Sequence, residues 1–426
     1  MMPMEKKPAM LFILPYCPYP LTTGGHQAIF TALVALKDTV RMILTFEVWK
    51  DEEHTQDYAV LKEQLGDVEI RPFLKEKCYL EQKVGFGRKL YVGLWYVKEY
   101  FRKKMCGRKE VPDTYIVPSA EFLPKDAARS AFVRGLVRDY HVCIVECDML
   151  QTAAYVYALP PTVKKVFVHH ELGFVREQLT VQAKTRHPAQ YQAALAAYKK
   201  KEVDLLNHFD SVLTLSSSDT KKLAEAGVSC RLSTSFATVA THPGERDVPV
   251  DPFNLVFVGP DCHYPNLAGL DWFLSHCWKR LKERNPAFRL RVFGLWEPAH
   301  VRLFRRRYAD VSFPGFVEDL PAAISGSVMI VPITIGSGIR MKILEASCCG
   351  VPVVSTHVGA EGLPVRHGEH CLLSDTSDAF IESLLSLQNI ALCRSLVQAS
   401  RALVSAHYTI PELAVNRKAA LADYLR

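Results

Sequence analysis

A glycine-rich turn with two basic residues beside it is the part of the sequence best suited to chemistry. The turn consists of Gly336, Ser337 and Gly338. It follows an apolar run typical of a buried strand and precedes a segment with helical spacing. The first turn of a helix presents unpaired N–H groups and a partial positive charge, which bind anions such as phosphate. Because Arg340 and Lys342 add cationic donors, the sequence predicts a phosphate site here.

A carboxylate lies nearly two turns into the same predicted helix. This residue, Glu345, could accept hydrogen bonds from the hydroxyls of a ribose. A phosphate site next to a ribose site indicates a nucleotide. The structural alternative is a tight turn followed by a solvated basic pair, but the combination of glycines, cations and a carboxylate favours the nucleotide.

A second pair of glycines opens a predicted helix near the start of the chain. The segment Gly24, Gly25 and His26 follows the first predicted strand. Glycines at this place let the backbone come close to a donor phosphate or to an acceptor, with His26 nearby. The segment is equally well explained as a turn that only starts a helix.

Two histidines and a glutamate end another predicted strand, at residues 169–171. Because the ends of parallel strands are where such sheets place their working residues, His170 or Glu171 could line a sugar pocket. A histidine there could also act as a general acid or base. The alternative is a structural histidine pair. Glu146 ends a further predicted strand and is a weaker candidate of the same kind.

Apolar runs alternate with amphipathic stretches along the whole chain, which predicts an α/β protein with parallel sheets. Strands are predicted at residues 10–14, 41–46, 142–146, 165–169, 211–215, 254–259, 289–293, 328–331 and 352–355, and helices at 24–36, 189–207, 216–227, 266–284 and 339–349. Three prolines without periodicity mark a linker at 241–252. We therefore expect domains at about 1–243 and 250–410, with ligands bound in a cleft between them.

The turn and its surroundings resemble the C-terminal signature of retaining GT-B glycosyltransferases, in particular the large glycosyltransferase family 4. Residues 336–346 read Gly-Ser-Gly-Ile-Arg-Met-Lys-Ile-Leu-Glu-Ala, and residues 350–356 read Gly-Val-Pro-Val-Val-Ser-Thr. Further matching pieces are Phe257-Val258-Gly259, Tyr264-Pro265-Asn266, residues 314–320, residues 359–363, the Gly24 to His26 segment and Ser216 to Asp219. The resemblance is strong over 254–363 and loose between residues 50 and 140.

This resemblance implies a GT-B fold, in which two Rossmann-like, doubly wound domains face a central cleft. The N-terminal domain would bind the acceptor and the C-terminal domain the nucleotide diphosphate-sugar donor. A final helix, residues 411–426, would cross back onto the N-terminal domain. The implied activity is a retaining, metal-independent hexosyl transfer to a saccharide or lipid-linked saccharide acceptor, as in polysaccharide biosynthesis, with no cofactor.

Carried over by position, Glu345 would bind the ribose, and Arg340 and Lys342 would steady the diphosphate with the amides of the 336–338 turn. Gly259 would lie on the donor side. Two positions depart from the family pattern. Ser337 stands where the family has the first glutamate of a pair, and residues 260–263, Pro-Asp-Cys-His, replace basic residues that many members carry.

Three other functions remain open from the sequence. The same architecture could serve a nucleotide-sugar epimerase or hydrolase, or a relative that binds a nucleotide or sugar without catalysis. The substitution at Ser337 supports the non-catalytic relative, whereas the intact Arg340, Lys342 and Glu345 oppose it. A nucleic-acid binder is not expected, because a net charge of +7 over 426 residues is mild.

The composition indicates an ordinary globular protein, with 49% hydrophobic and 23% charged residues. Twelve cysteines without metal spacing predict free thiols, and neither a signal peptide nor a membrane span is recognised, so we expect a cytoplasmic protein. Residues 84–105 interleave aromatic with basic side chains. They could form an interfacial helix on the inner face of the membrane, or a surface helix whose aromatic residues pack on the core.

Overall fold

Two parallel sheets, each covered by helices, make up the fold in the computed structural model. The structure describes residues 7–75, 117, 120–185, 187–241 and 248–425. The aromatic and basic stretch 84–105 and the middle of the predicted linker lie outside the described residues. The α/β fold class predicted from the alternating pattern is confirmed.

The first sheet is formed by residues from the N-terminal half. Its strands are β1 Ala9–Leu14, β2 Arg41–Trp49, β3 Val68–Ile70, β4 Phe73–Lys75, β5 Ile144–Asp148, β6 Lys164–His169, β7 Ser211–Thr214 and β8 Arg231–Thr234. They are all parallel in the order β3-β2-β1-β5-β6-β7-β8, and β4 pairs with the far end of β2. The order runs outward from β1 in both directions, which is the doubly wound arrangement.

Helices connect these strands. They are α1 Gly24–Leu36, α2 Thr55–Leu65, α3 Ala127–Asp139, α4 Leu150–Ala153, α5 Gly173–Lys184, α6 Gln192–Leu206 and α7 Ser217–Ala226. Local capping sets several of their ends. Ser216 Oγ accepts a hydrogen bond from the backbone N–H of Asp219 at the start of α7, and Gly227 ends that helix in the left-handed conformation, with φ of 95°.

The second sheet is built in the same way from the C-terminal half. Its strands are β9 Asn254–Val258, β10 Arg289–Phe293, β11 Val311–Gly315, β12 Val328–Val331, β13 Val353–Ser355 and β14 Leu372–Leu373. They are parallel in the order β11-β10-β9-β12-β13-β14. The helices are α8 Tyr264–Phe273, α9 Lys279–Arg284, α10 Pro298–Arg307, α11 Leu320–Ile324, α12 Met341–Cys348, α13 Ser377–Ser386, α14 Ile390–His407 and α15 Ile410–Leu421. A π-helical turn, Leu274–Trp278, joins α8 to α9.

Strands buried on both faces explain the continuous apolar runs in the sequence. Residues 10–14 of β1 are at most 2% exposed, and so are residues 328–331 of β12. The central strands of each sheet are therefore fixed by burial. Their carboxyl ends carry the loops that face the other half of the molecule.

The helix α15 lies against the N-terminal half of the chain. Arg417 of α15 is 1% exposed and donates a hydrogen bond from Nη2 to Oε1 of the buried Glu146 in β5. Asn416 Nδ2 donates to the carbonyl of Thr234 in β8 at 3.3 Å. These polar contacts tie the last helix to two strands of the first sheet.

The main difference from the sequence-based elements is in β5. It was expected at 142–146 and is found at Ile144–Asp148, because the polar residues Glu146 and Asp148 are buried within the strand. Short or strongly polar elements, such as β8, β11 and α10, were not expected. Among the described residues, no single helix is both long and apolar enough to cross a membrane, and only α13 with α14, a pair bent by 100°, passes such a test together.

Ten cysteines lie in the described part of the chain, and all ten are free thiols. Most of them are buried or partly buried. Burial raises the pKa of Cys277, Cys348 and Cys371 to about 12. These thiols are therefore packing residues rather than reactive groups.

Candidate functional site

The 336–338 turn lies between β12 and α12 and comes close to the N-terminal half. Gly336 and Gly338 have φ of 125° and 77°, which favour glycine. A Cβ atom at Gly338 would lie 2.3 Å from the carbonyl oxygen of His170, and one at Gly336 would lie 2.6 Å from Nη2 of Arg340. The two glycines therefore let the turn approach both its own arginine and the end of β6.

Arg340 is a buried cation whose hydrogen-bonding capacity is only partly used. Its Nη1 donates to the carbonyl oxygens of Ser337, at 2.5 Å, and Gly338, at 3.1 Å. Its Nε and Nη2 are buried without a hydrogen-bond partner among the described residues. Burial lowers the pKa of Arg340, although Glu171 nearby opposes that effect. Because an unpaired buried donor is costly, this guanidinium is suited to receive an anion.

Lys342 lies in the first turn of α12 and is the second cation. Its Nζ donates to Oδ1 of Asn266 at 2.9 Å and lies 4.7 Å from the ring centroid of Phe257. Burial, together with the charge of Arg340, lowers the pKa of Lys342 to about 7. An anion bound beside it would favour the charged form.

Asn266 is held in place by Gly259, the residue that follows β9. Gly259 has φ of 144°, and a Cβ atom there would lie 2.6 Å from Nδ2 of Asn266. Asn266 Nδ2 donates in turn to the carbonyl of Pro260 at 2.9 Å. Gly259 thus allows the asparagine to reach Lys342. The sequence analysis did not single out Asn266 as a site residue, although it belongs to the Tyr-Pro-Asn motif.

Glu345 is 7% exposed and points from α12 toward α1. Its Oε1 accepts a hydrogen bond from Nε2 of Gln27 at 3.2 Å, and Gln27 Oε1 accepts from the N–H of Ala240 at 3.2 Å. Burial raises the pKa of Glu345. The carboxylate predicted to bind a ribose is therefore connected to the N-terminal half through Gln27, a residue that no sequence signal indicated.

On the opposite side, His170 follows directly after β6. Its Nε2 is 2.8 Å from Oδ1 of Asp148, the last residue of β5. A carboxylate only accepts hydrogen bonds, so Nε2 is assigned as the donor, and in that tautomer Nδ1 carries the lone pair. Nδ1 has no hydrogen bond from the described residues. The adjacent His169 instead pairs with the fully buried Glu202 at 2.7 Å, which is a structural contact.

Glu171 lies among cations and polar groups from both halves. Its Oε2 is 3.7 Å from Nη1 of Arg176 and 3.9 Å from Nε2 of His263, and its Oε1 accepts from the N–H of Ser337 at 3.5 Å. Burial alone would raise the pKa of Glu171, but His263, Arg176 and Arg340 outweigh burial and hold it at about 2. Glu171 is therefore ionised at neutral pH.

Ser337 joins the two halves instead of facing open space. The side chain is 2% exposed. Its Oγ donates to Oδ1 of Asp219 at 3.3 Å and accepts from the N–H of Leu172 at 3.3 Å. A glutamate would not fit this short bridge. From the sequence, Asp219 was named only within the Ser216 to Asp219 piece that resembles the family, and its contact with the turn was not predicted.

The N-terminus of α1 meets that of α12. A Cβ atom at Gly24 would lie 3.0 Å from Cβ of Met341, and one at Gly25 would lie 2.3 Å from the hydroxyl of Tyr16. The ring of His26 packs on Tyr16 at 4.4 Å between centroids, and Nδ1 is 2.6 Å from Thr23 Oγ1. Burial lowers the pKa of His26 to about 4.

The loop after β9, residues 259–263, contains His263 but no lysine or arginine. Asp261 is 7% exposed and accepts from the N–H of Glu297 and from Nδ1 of His300, both at 2.7 Å. Arg340 and Lys342 are the cations that the turn and α12 contribute, and Arg176 is the cation beside Glu171. Among the described residues, no group of three His, Cys, Asp or Glu side chains could hold a metal ion.

The predicted site residues thus form two clusters that meet where the two halves of the molecule come together. Arg340, Lys342 and Glu345 belong to the turn and α12, whereas His170 and Glu171 follow β6 and the Gly24 to His26 segment begins α1. Contacts through Gly338, Ser337 and Gln27 bring them together. Their roles in binding and catalysis stay predictions.

Comparison with known proteins agrees with this arrangement. Residues 252–389 match the family model of glycosyl transferases group 1. A curated relative from Klebsiella pneumoniae, an uncharacterized 44.6 kDa protein in the cps region, is 21% identical over 385 residues, which cover 87% of this chain and 88% of that protein.

Solved structures extend the likeness to almost the whole chain. Sucrose-phosphate synthase from Thermosynechococcus elongatus superposes with a TM-score of 0.69 at 14% identity, covering 98% of this chain and 99% of that one. HepE from Anabaena in complex with UDP has a TM-score of 0.63 at 13% identity, covering 97% and 99%. Residues 252–389 therefore form a glycosyl transferases group 1 domain, in a chain that has the GT-B fold of glycosyltransferases.

Proposed function

We propose that this protein is a retaining glycosyltransferase that moves a hexosyl unit from a nucleotide diphosphate-sugar to a saccharide or lipid-linked saccharide acceptor. The observation that carries the proposal is the buried guanidinium of Arg340 beside the Gly-Ser-Gly turn, two of whose nitrogens find no partner within residues 7–75, 117, 120–185, 187–241 and 248–425. The match to a group 1 glycosyltransferase domain supports the enzyme class. The complex of HepE with UDP supports a nucleotide diphosphate as the leaving group.

The proposed chemistry depends on the charge that develops when the sugar leaves. As the bond between the anomeric carbon and the diphosphate breaks, negative charge grows on the diphosphate oxygens. Arg340, Lys342 and the amides of the turn would stabilise that charge in a site from which water is largely excluded. Glu345 would accept hydrogen bonds from the ribose hydroxyls, which fixes the nucleotide relative to the two cations.

His170 is proposed to face the sugar from the other side of the cleft. Asp148 holds Nε2, so Nδ1 can accept a hydrogen bond from a sugar hydroxyl. In a retaining transfer, the departing diphosphate oxygen can itself take the proton of the acceptor. His170 would then orient and polarise a hydroxyl, and Glu171 would keep Arg340 charged and the turn in place.

A place in polysaccharide synthesis is the proposed setting. The Klebsiella relative in a cps region supports this setting. The acceptor would enter along the first sheet, where Gly24, Gly25 and His26 meet α12.

The test is a thermal-shift panel of UDP, GDP, ADP, CMP and their common sugar conjugates, each with EDTA and with magnesium. A ligand that binds the folded state raises the melting temperature by mass action. We expect one nucleotide diphosphate and its sugar to stabilise the protein equally in EDTA and in magnesium. No shift with any nucleotide would overturn the donor assignment, and conversion of the donor sugar to an isomer without acceptor would show an epimerase instead.

A further inference from the structure

A cavity outside the donor site opens in the N-terminal half, at the carboxyl ends of β1, β2 and β4. Its volume is about 150 Å³. Its lining residues include Phe46, Glu47, Phe73, Lys75, Lys125 and Tyr155. Pockets that take a whole ligand usually measure ~300–1,000 Å³, so this cavity is suited to one sugar unit or one substituent of a larger ligand.

Two lysines approach the cavity from different elements. Lys75 ends β4, and its Nζ is 3.6 Å from Oε2 of Glu47. Lys125 precedes α3, and its Nζ donates to the carbonyl of Gln151 at 3.0 Å. Lys75 thus pairs with Glu47, whereas Lys125 forms no ion pair with any of the described residues, and burial lowers the pKa of Lys125. A desolvated ammonium is stabilised by an anion, and the cavity leaves room for one.

The carboxylate of Glu47 in the cavity wall is hydrogen-bonded by Arg129 and Tyr155. Glu47 Oε1 accepts hydrogen bonds from Nε of Arg129 at 3.0 Å and from the hydroxyl of Tyr155 at 2.8 Å. These contacts outweigh burial and lower the pKa of Glu47. Arg129 is also paired with Asp126 at the rim. The three cations Arg129, Lys75 and Lys125 face the two carboxylates Glu47 and Asp126, so one positive charge remains at the cavity.

Aromatic rings form part of the cavity wall, which includes Phe46, Phe73, Phe132 and Tyr155. Trp49 lies beside Lys75 outside that wall. Lys125 Nζ lies 5.2 Å from the ring centroid of Tyr155, and Lys75 Nζ lies 4.5 Å from that of Trp49. Phe73 packs edge to face on Phe132 at 5.3 Å. Rings next to cations provide apolar surface for the carbon face of a sugar and charge for an anionic group on it.

The cavity lies next to the cleft along the chain. Pro15 and Thr152 line it, and their neighbours Tyr16 and Met149 contact Gly25 at the start of α1. Thr152 Oγ1 donates to the carbonyl of Asp148, the residue that holds His170. A ligand that spans from the cavity to the cleft would therefore reach the side on which the acceptor is proposed to bind.

We propose that this cavity binds an anionic group, a phosphate ester or a carboxylate, carried by the saccharide acceptor. The inference rests on the proposed function, because it assigns the ligand to the acceptor side of a transferase. The cavity is separate from the proposed donor site, where Arg340 and Lys342 lie in the other half of the molecule.

The experiment is a ligand-observed NMR titration of the full chain with three probes: glucuronate, glucose 6-phosphate and glucose. We expect the anionic sugars to bind at least tenfold more tightly than glucose, and to lose that advantage in Lys75→Met and Lys125→Met. The matched control is Lys200→Met, because Lys200 lies exposed on α6 and pairs only at the surface with Asp204. Binding of the two anionic probes identifies whether the group is a carboxylate, a phosphate or either.

Nucleotide binding, measured by thermal shift on the same samples, keeps the two proposals apart. Lys75→Met and Lys125→Met should bind the nucleotide diphosphate as the wild type does, which also shows that they fold. If the nucleotide binds but glucose binds as well as the charged sugars, or the variants bind them unchanged, the anionic site is overturned. If charged sugars bind through the lysines but no nucleotide binds, the proposed function is overturned. The assignment of the cavity's ligand to the acceptor is then overturned with it.

Discussion

The two sides of the candidate site differ in how far their charged groups are paired within the protein. On the C-terminal side, Arg340 and Lys342 are buried and their pKa values are lowered. Two guanidinium nitrogens of Arg340 have no hydrogen-bond partner in the described part of the chain. On the N-terminal side, His170 is held by Asp148, and Glu171 is surrounded by Arg176, His263 and the turn. The first side therefore keeps guanidinium donors that an anion could fill, whereas on the second side the protein already pairs His170 Nε2 and Glu171.

This difference suggests that one side of the site mainly binds the substrate and the other mainly orients it. Unpaired buried donors contribute most binding free energy when a ligand supplies the missing acceptor. The C-terminal side should therefore provide most of the stabilisation of the transition state. Paired groups are held in one geometry before the substrate arrives, so the N-terminal side should mainly orient it. Mutations on the two sides should therefore differ in size, and the following predictions run from the largest effect to the smallest.

The replacement Arg340→Met should lower turnover by about 10²–10³-fold, the usual effect of removing one group that stabilises transition-state charge. The Michaelis constant for the donor should change much less. Steady-state kinetics with the donor from the thermal-shift panel would measure both. Arg302→Met, on the exposed face of α10, is the matched control and should keep full activity. Full activity in Arg340→Met would remove the central cation from the proposal.

The replacement Glu345→Ala should weaken binding of the nucleotide by about 10–100-fold, because hydrogen bonds to a charged group contribute about 1.5–3 kcal/mol. Calorimetric titration with the nucleotide diphosphate would measure it. Since Glu345 also accepts from Gln27, the variant Gln27→Ala serves as a comparison. If Gln27→Ala weakens binding as much as Glu345→Ala does, Glu345 acts by holding the two halves together rather than by touching the ribose.

The affinity for the nucleotide diphosphate should depend on pH through Lys342. Its pKa is lowered to about 7, so the ammonium is charged below pH 7 and loses its proton above it. Affinity should therefore be constant below about pH 7 and fall as pH rises, by up to about tenfold per unit. The variant Lys342→Arg stays charged and should show a flatter profile. Because the ligand titrates identically with both proteins, equal profiles would exclude Lys342 as the cause.

The replacement His170→Gln should lower turnover by about tenfold, less than Arg340→Met does, if His170 orients a hydroxyl. A general acid or base would contribute about 10²–10⁴-fold. The two cases also differ in the pH dependence of turnover, which a general base would impose and an orienting residue would not. A loss larger than that of Arg340→Met would reverse the comparison between the two sides.

The smallest effect is expected for His26→Gln, at about threefold or less. Its pKa is lowered to about 4, so the ring is neutral at pH 5–8 and does not change charge there. Packing on Tyr16 and the contact with Thr23 indicate a structural ring. Kinetics between pH 5 and 8 should show the same profile in the variant and in the wild type, and a changed profile would make His26 part of the chemistry.

The sequence predicted the central strands well because burial on both faces leaves continuous apolar runs, as in residues 10–14 and 328–331. It predicted β5 two residues too early, since Glu146 and Asp148 lie inside a buried strand and look like its end. Hydropathy cannot show that a carboxylate will meet Arg417 from a distant helix. The domain limits at 243 and 250 remain predictions.

The candidate site was predicted only where one segment contains it. The turn, Arg340, Lys342 and Glu345 are close in sequence, so their spacing was sufficient. The contacts of Ser337 with Asp219, of Glu345 with Gln27 and of Lys342 with Asn266 join residues far apart in the chain. Such pairs depend on how the two sheets pack. A single sequence carries no period or motif that reports them.

The buried contact between Glu146 and Arg417 has a consequence for the order of events during synthesis. The two residues are 271 positions apart, so a ribosome that adds ~5–20 residues per second makes Arg417 roughly 15–55 s after Glu146. Throughout that interval, β5 can enter the first sheet only with a carboxylate that lacks this partner. Burial raises the pKa of Glu146 to about 7 although Arg417 opposes the rise, so before α15 is made the pKa is higher still and the carboxyl group can be buried in its protonated form. The nascent N-terminal half should then hold this proton more fully than the finished protein does, and release part of it when α15 packs onto β5.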